Sequence, residues 1–177
     1  MATNPQTISG FISNFNGGLR NNRFRVSGSV GNQTPTLTFH VKSTSLPSSS
    51  ITPILVPYRG RAFKMPGNRS YASWQISVLD DITGNNSTGL WKQFHDWSQL
   101  FNTHAGNISQ TTNPDMTDKM KDWSVEHLDI NGNPVKKIQL KYCWPSEVGP
   151  IALSMEENET LTSFAVTLEY SWFEVLK

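Results

Sequence analysis

The chain has 177 residues, of which 36% are hydrophobic and 11% aromatic, and its 15 basic and 14 acidic side chains leave a formal net charge of +1. That length suits one domain with a self-sufficient core, and the composition is neither disordered nor collagen-like. Near-neutrality excludes the strong field that generic binding to duplex DNA or to an anionic membrane requires.

From Met1 to Asn22 no basic start is followed by a continuous apolar run, so no secretory signal is read and the expectation is a protein made and kept in a cytoplasm. Asn4 and Pro5 have the character of an N-cap and first helical residue. Ile8, Phe11, Ile12 and Phe15 then recur at helical spacing until Gly17 and Gly18, which predicts an amphipathic helix over 5–16. So short a helix must dock its apolar stripe, and docking within its own subunit is the simpler expectation.

From Arg23 the period becomes two: Phe24 and Val26 alternate with polar neighbours, and Leu37, Phe39 and Val41 do the same after a turn-rich stretch. Residues 43–65 hold Pro47, Pro53 and Pro57 between semi-apolar runs, which confines them to an edge or an extended arm. Pro66-Gly67-Asn68 reads as a turn. Trp74, Ile76 and Val78 alternate as a further strand that ends at Asp80-Asp81, an acidic pair of the kind usually solvated.

Ser87 or Thr88 is placed to cap the clearest helix, 88–101, whose Leu90, Trp91, Phe94, Trp97 and Phe101 share one face, a stripe expected in the core. A polar loop comes next. Trp123, Val125 and His127 then alternate, Asn131-Gly132-Asn133-Pro134 supplies a turn, and Val135 to Tyr142 returns, which together predict a hairpin. Cys143 is expected to be a buried thiol. The last segment is the most regular, with Phe164, Val166, Leu168, Tyr170 and Trp172 on one face and Ser163, Ala165, Thr167, Glu169 and Ser171 on the other. Roughly six to eight strands with one solid helix argue for a mainly β chain folded as an antiparallel barrel or sandwich.

Chemistry is hard to find. His40, His95, His104 and His127 lie in different segments, and neither an HExxH nor a CxxC occurs. No cofactor, metal or catalytic residue is expected.

Several phrases recur in a familiar order: Thr38-Phe39-His40-Val41-Lys42 before Leu46-Pro47, Pro66-Gly67-Asn68-Arg69 before Trp74, Trp144-Pro145 before Val148-Gly149, and the segment from Phe164 to Trp172. Their collinearity over about 160 residues is far more specific than any one of them. In this the chain resembles the tail tube proteins of contractile-tailed phages, which are related in fold to the tubes of pyocins and of type VI secretion. The resemblance implies a virion protein, assembled in the host cytoplasm, that joins five copies of itself in a hexameric ring. Rings stack into a tube with sheath outside, tape-measure protein and passing DNA within, and baseplate and terminator proteins at the ends. On that reading the protruding arm, 43–65, reaches a neighbour, with Leu46, Pro47, Ile51, Ile54, Leu55, Val56, Arg61, Asn68 and Arg69 as candidate interface residues. Ser163, Thr167 and Glu169 are candidate lumen residues.

A pyocin-like particle needs the same subunit and is the nearest alternative. From other classes, a monomeric carbohydrate-binding sandwich would require exposed tryptophans among Trp74, Trp91, Trp97, Trp123, Trp144 and Trp172. A hydrolase would require a role for a residue such as His127.

Overall fold

The computed structural model describes residues 7–15, 17–30, 40–81, 89–110, 114–156 and 159–177. Within them the fold is mainly β with two helices, in the order α1 (Ile8–Asn14), β1 (Phe24–Gly28), β2 (Val41–Thr44), β3 (Ser49–Tyr58), β4 (Arg61–Tyr71), β5 (Trp74–Leu79), α2 (Leu90–Phe101), β6 (Lys121–Leu128), β7 (Pro134–Val148), β8 (Ser163–Glu169) and β9 (Trp172–Val175). Asn4, Pro5, Leu37, Phe39, Ser87 and Thr88 lie outside the described residues.

All strand pairs are antiparallel. The body runs along the path β1-β6-β7-β8-β5-β2, with β9 added to β7, and among the described residues β3 pairs only with β4. The long strand β7 serves two layers: its first part pairs with β6 and β9, and its last part, from Trp144, pairs with β8. The switch occurs where Tyr142 takes a positive φ of 57° and the β6–β7 register slips between Lys121 and Trp123. Such a bulge bends the strand and re-aims the residues beyond it, the ordinary way a strand turns a corner between packed sheets.

The same corner corrects the reading of the last segment as one strand. Its alternation is unbroken in sequence, yet Tyr170 and Ser171 leave the ladder opposite the bulge. Trp172 then lands half-exposed against Tyr142, at 5.2 Å between ring centroids, instead of continuing the buried face.

The core forms where inward faces of both layers meet α2. Trp74, Ile76, Val78, Trp123, Val125, Leu140, Phe164, Val166 and Leu168 are all buried, and Leu90, Phe94 and Trp97 close over them. Trp97 and Trp123 stack at 6.5 Å, with Trp74 edge-on to Trp123 at 6.1 Å. Two of the three fully buried indoles place their N–H groups on acceptors, and those bonds tie loops to the core: Trp74 Nε1 donates to the Ser45 carbonyl at 2.7 Å and Trp97 Nε1 to that of Lys119 at 2.9 Å. Cys143 is buried, and burial pushes its thiol up to about 12.

Two local expectations change. Helix α2 is preceded at its N-cap by Gly89, which has no side chain to cap it. Instead Asp80 Oδ1, from the end of β5, accepts the Trp91 backbone N–H at 3.2 Å, so the first acid of the pair serves the helix. Pro66-Gly67-Asn68 is not a turn but lies inside β4. The chain reverses at Arg59 and Gly60, with φ of 44° and 82° between the paired Tyr58 and Arg61, the two left-handed residues of a type I′ hairpin. In a two-stranded ribbon every strand is an edge, which is why three prolines are tolerated. The Asn131 to Pro134 turn forms as expected, with the Asp129 carboxylate accepting from the Asn131 and Asn133 amides at 2.8 Å.

Candidate assembly surfaces

The β3–β4 hairpin leaves the body beyond Tyr71, which packs against Tyr170 and Phe173 at its base. At about 3.3 Å per residue its ten-residue strand extends about 33 Å. Paired residues share a face, so Ile54 with Met65, Val56 with Phe63 and Tyr58 with Arg61 form one side. Pro53 with Pro66, Leu55 with Lys64 and Pro57 with Ala62 form the other. Both sides are predominantly apolar and both are exposed: Leu55 is 58% accessible, Phe63 65% and Tyr58 67%. A patch of this size on a lone soluble chain marks an interaction site.

Of the candidate interface residues, Ile51, Ile54, Leu55, Val56, Arg61, Asn68 and Arg69 lie on this hairpin. Ile51 faces Arg69 across the ribbon, and the Arg69 guanidinium donates to Ser49 Oγ at 2.8 Å. Leu46 and Pro47 precede it and sit at its root, with Leu46 lining a cleft beside Phe24 and His127. Ser43 and Thr44 belong to β2 in the body, so the free ribbon runs from Ser49 to Tyr71. Tyr58, Phe63 and Met65 join Leu55 and Ile54 in the exposed apolar set once the turn is placed at Arg59-Gly60, and the misplaced turn concealed that pairing.

Helix α1 corrects an expectation. Thr7 caps it, its hydroxyl accepting from the Gly10 amide at 3.2 Å, but Ile8, Phe11, Ile12 and Phe15 remain exposed and do not dock on their own subunit. A third uncovered apolar segment is the β7–β8 connection, where Leu153 and Met155 are 86% and 99% accessible. Its lack of periodicity hid it from a reading based on strands and helices.

The two outward sheet faces differ in chemistry. On β1, β6 and β7, Glu126 receives Arg25 at 2.7 Å and Lys137 at 2.8 Å, and Asp122 receives Lys141 at 2.6 Å. Burial alone would raise the Glu126 carboxyl, but the hydrogen bonds from Lys137 and Arg25 outweigh it and hold the group below its ordinary range. On the other layer Gln75 and Ser77 of β5 stand beside Thr167 and Ala165 of β8, and Thr167 beside Glu147 of β7. Ser163, Thr167 and Glu169 all lie on this face, half-buried. Its strands β5 and β8 and the last five residues of β7 contain Glu147 and Glu169 but no Lys or Arg, and the edge strand β2 adds the exposed Lys42.

Of the six tryptophans a binding module would draw on, Trp74, Trp97 and Trp123 are fully buried, Trp91 packs against the core with its N–H on the Gly149 carbonyl, Trp144 is half-buried beside Phe101, and Trp172 is exposed beside Tyr142. His127 Nε2 donates to the Arg20 carbonyl at 3.0 Å. Among the described residues no three metal-capable side chains converge.

The family model for phage tail tube proteins matches residues 11–176. This chain belongs to the phage tail tube protein family. The tube protein is therefore a structural component of the virion tail. It is 29% identical over 167 residues to the tail tube protein of Serratia phage KSP90, covering 91% of this chain and 90% of that one. In fold it is similar to a chain in the tube-terminating cap of the anti-feeding prophage, with a TM-score of 0.65, 17% identity and coverage of 99% and 98%. It is similar also to a chain in the sheath-tube complex of an extracellular contractile injection system in its extended state, with a TM-score of 0.60, 18% identity and coverage of 96% and 97%.

Proposed function

We propose that this tube protein assembles into stacked hexameric rings forming the inner tube of a contractile tail, a conduit for tape-measure protein and genome. The observation that carries the reading is the β3–β4 hairpin, apolar on both faces and uncovered in a single copy. A ribbon of this kind needs a protein surface on each side, and in a homopolymer other copies supply them. Ile51, Ile54, Leu55, Val56, Arg61, Asn68 and Arg69 then become buried between subunits, with Leu46 and Pro47 at the hinge of the arm.

The small, sparsely charged and solely acidic face of β5 and β8 suits the lumen, where Ser163, Thr167 and Glu169 would meet a polyanion without gripping it. Sheath would cover the outside, baseplate and terminator proteins would close the ends, and assembly would take place in the host cytoplasm. The sheath-tube and tube-cap structures of similar fold support those partners. Negative-stain electron microscopy with light scattering over a concentration series tests the proposal. Six-fold rings or hollow tubes are expected. A chain that stays monomeric even with baseplate proteins present would refute it.

A further inference from the structure

The hairpin and the β7–β8 connection lie at opposite ends of one layer. Strands β5 and β8 pair from Trp74 with Leu168 at one end to Leu79 with Ser163 at the other. The hairpin joins at the first end, where Ala72 N–H donates to the Ser48 carbonyl and Tyr71 packs on Tyr170 at 5.9 Å. The 149–162 connection is rooted at the second end, by Gly149 N–H on the Ala165 carbonyl at 2.7 Å and Asp80 N–H on the Thr162 carbonyl at 2.9 Å.

Their charges are opposite. The hairpin sequence, 49–71, holds Arg59, Arg61, Lys64 and Arg69 and no acid, whereas the described residues of the connection, 150–156 and 159–162, hold Glu156 and Glu159 and no base. The ion pairs among the described residues involve neither set. Each also exposes apolar side chains: Ile54, Tyr58 and Phe63 on one, Leu153, Met155 and Leu161 on the other.

We infer that the described parts of the β7–β8 connection of one copy, residues 149–156 and 159–162, are the receiving surface for the hairpin tip of the next copy. The inference rests on the tube reading and deepens it by naming the two faces that meet. Apolar side chains on both partners, with basic residues facing acidic ones, give an interface whose core is desolvated and whose charges set register and encounter. Because the two patches are different surfaces at opposite ends of the subunit, the contact is heterologous, and it repeats from copy to copy without self-limiting as a two-fold dimer does.

Two experiments test it. Arg59→Asp with Arg61→Glu, and separately Glu156→Lys with Glu159→Lys, are each expected to raise the concentration at which wild-type assembly begins by about tenfold. The four substitutions together are expected to restore it. All four positions are exposed, and an unchanged melting temperature verifies the fold. Second, Tyr58→Cys with Met155→Cys under oxidising conditions is expected to give a ladder of trimers and larger species, while either single variant stops at dimers. The buried Cys143 does not compete. Wild-type tubes whose onset neither charge reversal shifts, or a double-cysteine chain that yields no species beyond a dimer, would overturn the docking site and leave the tube reading intact. A wild-type chain that neither assembles nor gives a ladder in the double-cysteine form would overturn both.

Discussion

Gly28→Ala is the sharpest test of the core. Gly28 ends β1 directly across from Trp123, and a Cβ there would stand 2.5 Å from Trp123 Cε2 and closer still to Cδ2. Carbon atoms settle at about 3.5 Å, so either the indole or the strand must retreat by about 1 Å. The indole has nowhere to go, since its other sides meet Trp97, Trp74 and Phe94 in a fully buried cluster. Moving β1 instead strains the pairing of Val26 and Arg25 with β6. Overpacking of this kind costs about 1–3 kcal/mol, and the absence of slack on either side argues for the upper end. For a chain of this length 3 kcal/mol lowers Tm by about 6–12 °C. Thermal unfolding followed by tryptophan emission and far-ultraviolet circular dichroism reads the shift, at concentrations below assembly so that association does not raise Tm. A variant melting within about 2 °C of wild type would refute the argument that this glycine is demanded by the indole.

Glu126→Gln should flatten the acid side of the stability profile. A carboxyl held below its ordinary value of 4.5 stabilises the fold above that pH and loses its contribution as pH falls through the lower folded value, so urea titrations at descending pH should show wild type losing stability more steeply than the variant. Asp80→Ala removes the acceptor for the Trp91 amide and should cost about 1 kcal/mol, a fall in Tm of about 2–4 °C by calorimetry. At pH 8 Cys143 should resist an aromatic disulfide reagent in the native protein and react fully in guanidinium, because its thiol is buried and raised to about 12. Gly67→Ala would drive a Cβ into the Thr52 carbonyl, deforming the hairpin but not the core. Unchanged unfolding with lost assembly in light scattering is expected, and normal tubes would contradict the hairpin's role.

Much of the fold was legible where period and turn chemistry are local. The β6–β7 hairpin can be read from Trp123, Val125 and the Asn131 to Pro134 turn because both signals lie within one stretch. The α2 stripe of Leu90, Phe94 and Trp97 is evident from helical spacing alone. The readings that failed depend on partners distant in sequence. Pro66-Gly67-Asn68 has turn composition, yet a free edge strand needs no donor from Pro66, and the reversal falls at Arg59-Gly60, where one arginine accepts a positive φ. The break after Glu169 has no signal in its own segment because the bulge at Tyr142 imposes it. Asp80 reads as a solvated acid until the fold brings the start of α2 beside it. Among the assembly surfaces, Ile54 and Val56 were legible as apolar residues on a proline-bounded arm. Leu153 and Met155 were not, because an aperiodic loop gives no reason to prefer exposure over burial.

The shared strand β7 also has a mechanical meaning. One layer hangs from its first ten residues and the other from its last five. The peptide bonds from Lys141 to Trp144 therefore join the two layers in series. Force applied to the polar ladder of β1 and β6 reaches the acidic face of β8 through the main chain, so the layers cannot slide past each other as two sheets joined by side-chain packing alone would.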